Sequence, residues 1–359
     1  MEAPVLKVPE TKSLWSTKTL KRLTGQLSSD IAMDLGTANT LVWVKGEGIV
    51  LNEPSVVAVD AETGQLLAYG HKAKQMYGKT SRAIRCVRPI KDGVIADFHL
   101  TTEMIKHMLR GVRKKWSMVR PRAVIGVPSD ITQVEKRAVL DAALSAGMRQ
   151  AFLVEESMAA AVGSGLPVEL PIGSMIVDIG GGTTEVAVLS LGGAMYTHAI
   201  RVAGDEMDEA IQRYFKQRLG LEVSIFESER VKITVGSLIP GAEKLTTKVF
   251  GRDLASGMPK CIEVDDDMIR AAMHEPVCAI VRAIYTALEN VSPEVAQDIL
   301  SSGVYLAGGG AMIRGLAEAL TEKTGIRFIR DSDPLTCVVR GVGKIVDDLD
   351  NLSGLCIAA

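Results

Sequence analysis

Two stretches of the chain break an apolar pattern in the same way. In residues 31–44, IAMDLGTANTLVWV, an apolar run ending in an aspartate stops at Gly36 and resumes at Leu41. In residues 174–190 the run SMIVDI stops at three consecutive glycines, passes two threonines and resumes as VAVLS. Alternating strand patterns on either side of a short glycine-containing break predict a β-hairpin in each place. Glycine weakens a strand interior, so three together mark a turn that something approaches closely. A backbone laid open in this way, with hydroxyls at its exit, suits phosphate oxygens. The two stretches share D-[LI]-G-x-x-x-T, with Asp34 and Asp178 separated by 144 residues (178 − 34). That interval fits two similar domains in tandem rather than a short-period solenoid, and two such hairpins can close on opposite sides of one phosphate chain.

The remaining pattern alternates strands with helices, which makes the chain α/β. Residues 121–130 (PRAVIGVPSD) read as a strand ending in a proline turn. The next segment has helical spacing, with Val134, Ala138, Leu140, Ala143 and Leu144 as its apolar positions and an end near Gly147. Residues 151–165 read as a short strand running into a small-residue helix, with Glu155 and Glu156 at the junction. Helices are predicted over 205–219 and 266–291. Residues 302–325 read as a strand, a glycine turn at 308–310 and a helix whose N-terminus favours anionic or polar ligands.

Composition narrows the choice of function. The 359 residues suit about two domains, and 47% apolar with 23% charged residues is ordinary for a globular chain. A net charge of −2 and 4% aromatic residues argue against nucleic acid as a partner. The five cysteines show no metal-ligand spacing and read as shielded, reduced thiols. The five histidines likewise read as structural. No apolar run is long enough to span a membrane, and the N-terminus lacks the apolar core of a secretory signal, so a cytoplasmic location is expected. Residues 1–29 depart from the even charge balance with an excess of three positive charges. Within them, residues 13–24 place Leu14, Trp15, Leu20 and Leu23 opposite Lys18, Lys21 and Arg22, as in a short amphipathic helix with a basic face. Trp116 and Met118, next to Arg113, Lys114 and Lys115, form a second candidate membrane-facing segment.

The two hairpins together with LAGGGAMIRG (306–315) resemble the two phosphate motifs and the adenosine motif of the actin, heat-shock chaperone and sugar-kinase superfamily. Within it, SSDIAMDLGTANTLVWVKGEGIVLNEPSVVA, RPIKDGVIADF, GSMIVDIGGGTTEVAVLSLGG, RVAGDEMDEAI and DPLTCV resemble the MreB family of bacterial actin homologues, over roughly residues 29–348. The resemblance implies an actin-like ATPase fold, two similar domains around a nucleotide cleft. It implies a basic extension over 1–29, a first domain over 30–165, a second over 166–335, and a C-terminal helix (336–359) returning to the first. It assigns Ala38, Asn39 and Thr40 to the first phosphate loop and Gly181, Gly182 and Thr183 to the second. Glu229 and Lys232, three apart on one helix face, match the pair contacting adenosine, and Gly309, Gly310, Ala311 and Met312 match the turn under the adenine. Asp34 and Asp178 would hold Mg²⁺ through water. Glu156 would position the attacking water, with Thr183 and Asp178 assisting.

The implied activity is slow ATP hydrolysis coupled to filament assembly. The implied setting is homopolymer filaments at the inner face of the cytoplasmic membrane, in rod-shape determination and spatial control of cell-wall synthesis, alongside membrane proteins of wall elongation. Ser157 stands where the family has a proline, and the N-terminal segment is longer than usual. The alternatives are a specialised paralogue organising a compartment such as a magnetosome, and a small-molecule kinase on the same fold. No extra aspartate motif announces a kinase base, and a chaperone ATPase module, which would need an appended substrate-binding domain, is not expected with 47 residues (359 − 312) after the last nucleotide motif.

Overall fold

The computed structural model describes residues 30–112, 120–241 and 243–357. The basic segment 13–24, Trp116 and Met118 lie outside the described residues. Both predicted hairpins form, and each is the centre of a five-stranded sheet. In the first sheet the order is Gln150–Glu155, Arg122–Val127, Ile31–Leu35, Asn39–Val44, Gly48–Pro54. In the second it is Phe328–Arg330, Val304–Ala307, Ser174–Ile179, Thr184–Ser190, Gly193–Ile200. Each central strand pairs antiparallel with its hairpin partner on one side and parallel with a strand from a crossover on the other. The duplication read from a seven-residue pattern is thus a duplication of a whole sheet.

The local signals place helix ends well. The helix Gln133–Ala146 starts at a capping box in which Thr132 and Glu135 exchange hydrogen bonds, and it ends at Gly147 in the left-handed conformation, φ 112°, where a β-carbon would be strained. Its buried face differs from the one expected. Val139, Ala142, Ala143 and Ala146 point inward, while Val134 is 80% exposed and Leu144 is also on the surface. Alanines hide an inward face from a count of large apolar residues, because close packing on the sheet selects small side chains. The glycine turn at 308–310 leads first into one 3₁₀ turn, Gly309–Met312, and the α-helix begins only at Leu316. The helix N-terminus expected at that turn is therefore displaced from it.

Two helices of small residues lie between the sheets. Glu156–Gly163 and Cys337–Asp347 approach so closely that a β-carbon at Gly341 would lie 1.7 Å from the Ala159 carbonyl oxygen, and one at Gly163 would lie 2.0 Å from that of Cys337. Around them Val124, Val154, Met158, Ile176, Leu189 and Val342 form one buried cluster drawn from both sheets. The Cys337 thiol, pushed up to about 12 by burial, donates to the Ala160 carbonyl at 3.1 Å. Cys261, by contrast, is exposed rather than shielded as expected. Each half also carries a smaller lobe. The first has a three-stranded sheet with the helix Gly70–Met76, and the second has one with the helix Ile225–Val235. No described helix is long and apolar enough to cross a membrane.

Candidate functional site

The tips of the two hairpins meet across a cavity of about 530 Å³ lined from both halves. The equivalent registers explain why. Asp34 sits near the end of its central strand opposite Leu41 and beside Gly126, and Asp178 sits opposite Glu185 and beside Ala307. Both carboxylates consequently emerge at the same end of their sheets and line the same cavity. Ala38 and Asn39 of the first loop, Gly181, Gly182 and Thr183 of the second, Glu156, Glu229, Lys232, Gly309, Gly310 and Met312 line it too.

Two expected residues do not line it. Thr40 is fully buried, its hydroxyl 2.9 Å from that of Ser55, which in turn donates to the Gly36 carbonyl at 2.6 Å. Thr40 pairs with Leu35 across the hairpin, which turns its side chain into the sheet, where it braces the loop. Ala311 is 1% exposed and packs into the core of the second half, because its place on the 3₁₀ turn faces the sheet. Several lining residues escaped the sequence reading: Thr37, Gly204, Asp205, Asp208, Ile233 and Arg314 among them. The run RVAGDEMDEAI held a usable signal, an aspartate on the inward stripe of an amphipathic helix. Asp208 is buried there at 2% exposure, and burial raises its carboxyl to about 7 although the Lys232 ammonium lies 2.9 Å away. The same ammonium donates to the Gly204 carbonyl at 2.7 Å.

The second loop is held by its carbonyls. Gly204 and Asp205, at the start of the helix Gly204–Leu219, donate their N–H groups to the carbonyls of Gly180 and Gly181 at 3.2 and 2.7 Å. In a trans peptide C=O and N–H point in opposite directions, so the N–H groups of Gly181 and Gly182 point away from that helix. The glycines also meet the other half directly. A β-carbon at Gly181 would lie 2.8 Å from that of Ala38, and one at Gly182 would lie 2.9 Å from Asp92 Cα and from the Thr37 hydroxyl. Open backbone is required here first by the opposing loop, and not by a phosphate alone.

The electrostatics are one-sided. Burial, reinforced by Asp178, raises Asp34 to about 7; burial alone raises Asp178 to about 7. Glu156 is pushed well up by burial and then by Glu185, Asp34 and Asp178. Glu185 is pushed up to about 8 by burial, although one of its oxygens accepts the Ser129 N–H at 2.9 Å. The second Glu185 oxygen and Asp178 Oδ1 are buried with no hydrogen-bond partner among the described residues. Among the described residues no cationic side chain pairs with Asp34, Glu156, Asp178 or Glu185, and clustered carboxylates with orphaned oxygens would be offset by a bound cation. Among the described residues no three acid, histidine or cysteine side chains come together as a direct metal site, so a hard cation such as Mg²⁺, which keeps several waters and takes few carboxylates, would be held here through water.

Two sheets of one topology, packed on paired helices between them and meeting over a cavity lined by both hairpin tips, define an actin-like, two-domain ATPase architecture. The chain superposes on Spiroplasma citri MreB 5 bound to AMPPNP with a TM-score of 0.86 and 34% identity, covering 90% of this chain and 97% of that one. It superposes on a chain of a MamK double helical filament with a TM-score of 0.76, covering 89% of this chain and 99% of that one, and at 23% identity that likeness concerns the fold. The model of the MreB/Mbl protein family matches residues 28–354. The chain belongs to that family, and with it to the actin-like cytoskeletal proteins of cell shape. It is 48% identical to the cell shape-determining protein MreB of Escherichia coli K12, over 93% of this chain and 98% of that one, and 42% identical to Mbl of Bacillus subtilis, over 90% and 97%. Identities of this size to cell-shape proteins do not favour the compartment-organising paralogue or the kinase.

Proposed function

We propose that this chain binds ATP with Mg²⁺ in the cleft, hydrolyses it slowly, and assembles with copies of itself into filaments whose contacts are favoured when the cleft is closed. The observation that carries the reading is the meeting of the two hairpin loops over an uncompensated carboxylate cluster. The N–H groups of Gly181 and Gly182 take phosphate oxygens from one side, and the loop at Ala38 and Asn39 takes them from the other. Lys232 and Glu229 hold the nucleoside, with Gly309, Gly310 and Met312 beneath the base. Asp34 and Asp178 would hold the cation through water, and it would supply there the positive charge that phosphoryl transfer requires. Glu156, at the first turn of its helix and lining the cavity, positions the attacking water, with Thr183 assisting. The Spiroplasma citri protein is bound to AMPPNP and to ADP, which supports nucleotide binding by this chain, and the MamK filament, whose chain is 25% identical, supports assembly.

The filaments would lie at the inner face of the cytoplasmic membrane, serving rod shape and the placement of wall synthesis with membrane proteins of wall elongation. Residues 13–24 supply an apolar side and three basic residues, and Trp116 with Met118 a second contact. A single such segment binds weakly, while a filament presents many in a row. Sedimentation of the purified protein with ATP, ADP or no nucleotide is the decisive experiment. A nucleotide-dependent pellet is expected, and a chain that never pellets would overturn assembly. The same assay with anionic liposomes, comparing the full chain with one starting at Ser28, is expected to show weaker membrane binding for the shorter chain.

A further inference from the structure

Beside the cavity the two small lobes touch through side chains that the proposed chemistry does not use. Phe226, in the first turn of the helix Ile225–Val235, leaves the core of its own half and packs against Val56, Ala58 and Ala73 of the other. The Tyr77 ring meets it edge-on, with centroids 4.7 Å apart at 86°. The Lys74 ammonium lies 4.9 Å and the Arg88 guanidinium 5.5 Å from the centre of the same ring. Both cations also pair with acids of the second half: Lys74 with Glu229 at 2.6 Å, and Arg88 with Asp205 at 2.8 Å. One aromatic ring is therefore clasped by an aromatic and two cations from the opposite lobe, and the same two cations reach on to two acids that line the cavity.

We infer that Phe226, clasped by Lys74, Tyr77 and Arg88, is a latch that holds the halves closed and sets the rate at which nucleotide leaves the cleft. The inference rests on the proposed nucleotide reading of the cavity. The coupling is geometric. Phe226, Glu229 and Lys232 follow one another at spacings of three on a single helix, so they share a face and move as one body. Any motion that withdraws the ring from its clasp also withdraws Glu229 and Lys232 from the cavity. Conversely, while the ring is seated, Lys74 fixes the Glu229 carboxylate at the cavity wall. The ring contributes burial, an edge-to-face pair and cation–π attraction together, whereas the two partly exposed ion pairs add less and are screened by salt. Phe226 is thus the principal element and the pairs are its guides.

The test measures release of a fluorescent ADP analogue from the full chain, together with amide hydrogen exchange of residues 70–76 and 225–235. Phe226→Ala is expected to speed release about tenfold and to raise exchange in both segments, as loss of the edge-to-face pair and the cation–π contacts implies. Phe226→Leu, which keeps apolar volume but not the ring, should fall between. Arg88→Gln should speed release about threefold at low salt and not at high salt. Should Phe226→Ala fail to fold, Phe226→Leu and Arg88→Gln decide the matter. Folded variants with wild-type release and wild-type exchange overturn the latch. A wild-type chain that takes up no nucleotide would instead overturn the reading of the cleft, and the exchange data would then judge the latch by themselves.

Discussion

The two hairpins share a topology and differ in chemistry. In the first, Asp34 faces Leu41 across the strands; in the second, Asp178 faces Glu185. The first loop presents side chains, with the Thr37 hydroxyl accepting the Gly93 N–H at 2.9 Å and the Ala38 methyl pointing at the other half. The second presents bare backbone into which those side chains fit. Duplication has therefore preserved the frame that aims two carboxylates at one point, while the loops have become complementary rather than alike. The surplus buried acid, Glu185, sits on one side only, so the second hairpin carries two buried acids where the first carries one.

The complementarity is most severely tested at the glycines. Gly182→Val should lower nucleotide affinity by more than about 100-fold, because the branched side chain collides with Asp92 backbone and cannot be accommodated by a rotamer change. Circular dichroism should show the helices intact, and equilibrium binding of ATP measures the loss. Gly181→Ala sharpens the same point. Its methyl meets that of Ala38, so Gly181→Ala should weaken binding, and adding Ala38→Gly should restore much of the loss. If the double variant is no better than the single one, the two loops are not steric partners.

Next in size is the chemistry. Glu156→Ala should slow phosphate release by about 10²-fold, the lower range for a positioned acid–base group, while ATP still binds and polymer persists longer. Hydrolysis at the wild-type rate would reduce Glu156 to a helix-start acid.

A smaller effect separates the two hairpins by pH. A carboxyl whose folded pKa lies above its unfolded value is protonated in the folded chain over a range where the unfolded chain has already released the proton. Its contribution to stability therefore falls as pH rises, from near 4 up to the folded value, and is level beyond it. With Asp34 and Asp178 raised to about 7 and Glu185 to about 8, the nucleotide-free protein should lose stability between pH 5 and 8. Glu185→Gln copies the protonated form and can still accept the Ser129 N–H. It should change little at pH 5 and stabilise at pH 8 by on the order of 2 kcal/mol, read from denaturant midpoints. The same stability gain at both pH values would show that Glu185 is not buried as a neutral acid.

The smallest effect concerns Ser157, whose hydroxyl is buried without a hydrogen-bond partner among the described residues. Ser157→Ala removes the orphaned group and should be neutral or stabilising by up to about 1 kcal/mol. A loss of stability would show that this hydroxyl is satisfied by water.

Much of this molecule is legible along the chain. The hairpins follow from period-two alternation and glycine breaks, and the helix ends at Thr132 and Gly147 follow from capping chemistry, because both depend on contacts among residues a few positions apart. The resemblance to the MreB family named a good part of the cavity wall for a related reason: the loops that carry it are short and contiguous. What neighbours in sequence cannot encode is who stands opposite. Thr40 and Ala311 turn inward, Val134 turns outward, and Asp178 gains Glu185 only through the register of paired strands. Lys74 and Glu229 meet across 155 positions of chain, and Gly181 needs to be glycine because of Ala38 in the other half. Short-range sterics and periodicity settled the elements of this protein. Packing between elements distant in sequence settled which side chains are buried, which are charged and which touch, and those are the properties on which the cleft and its latch depend.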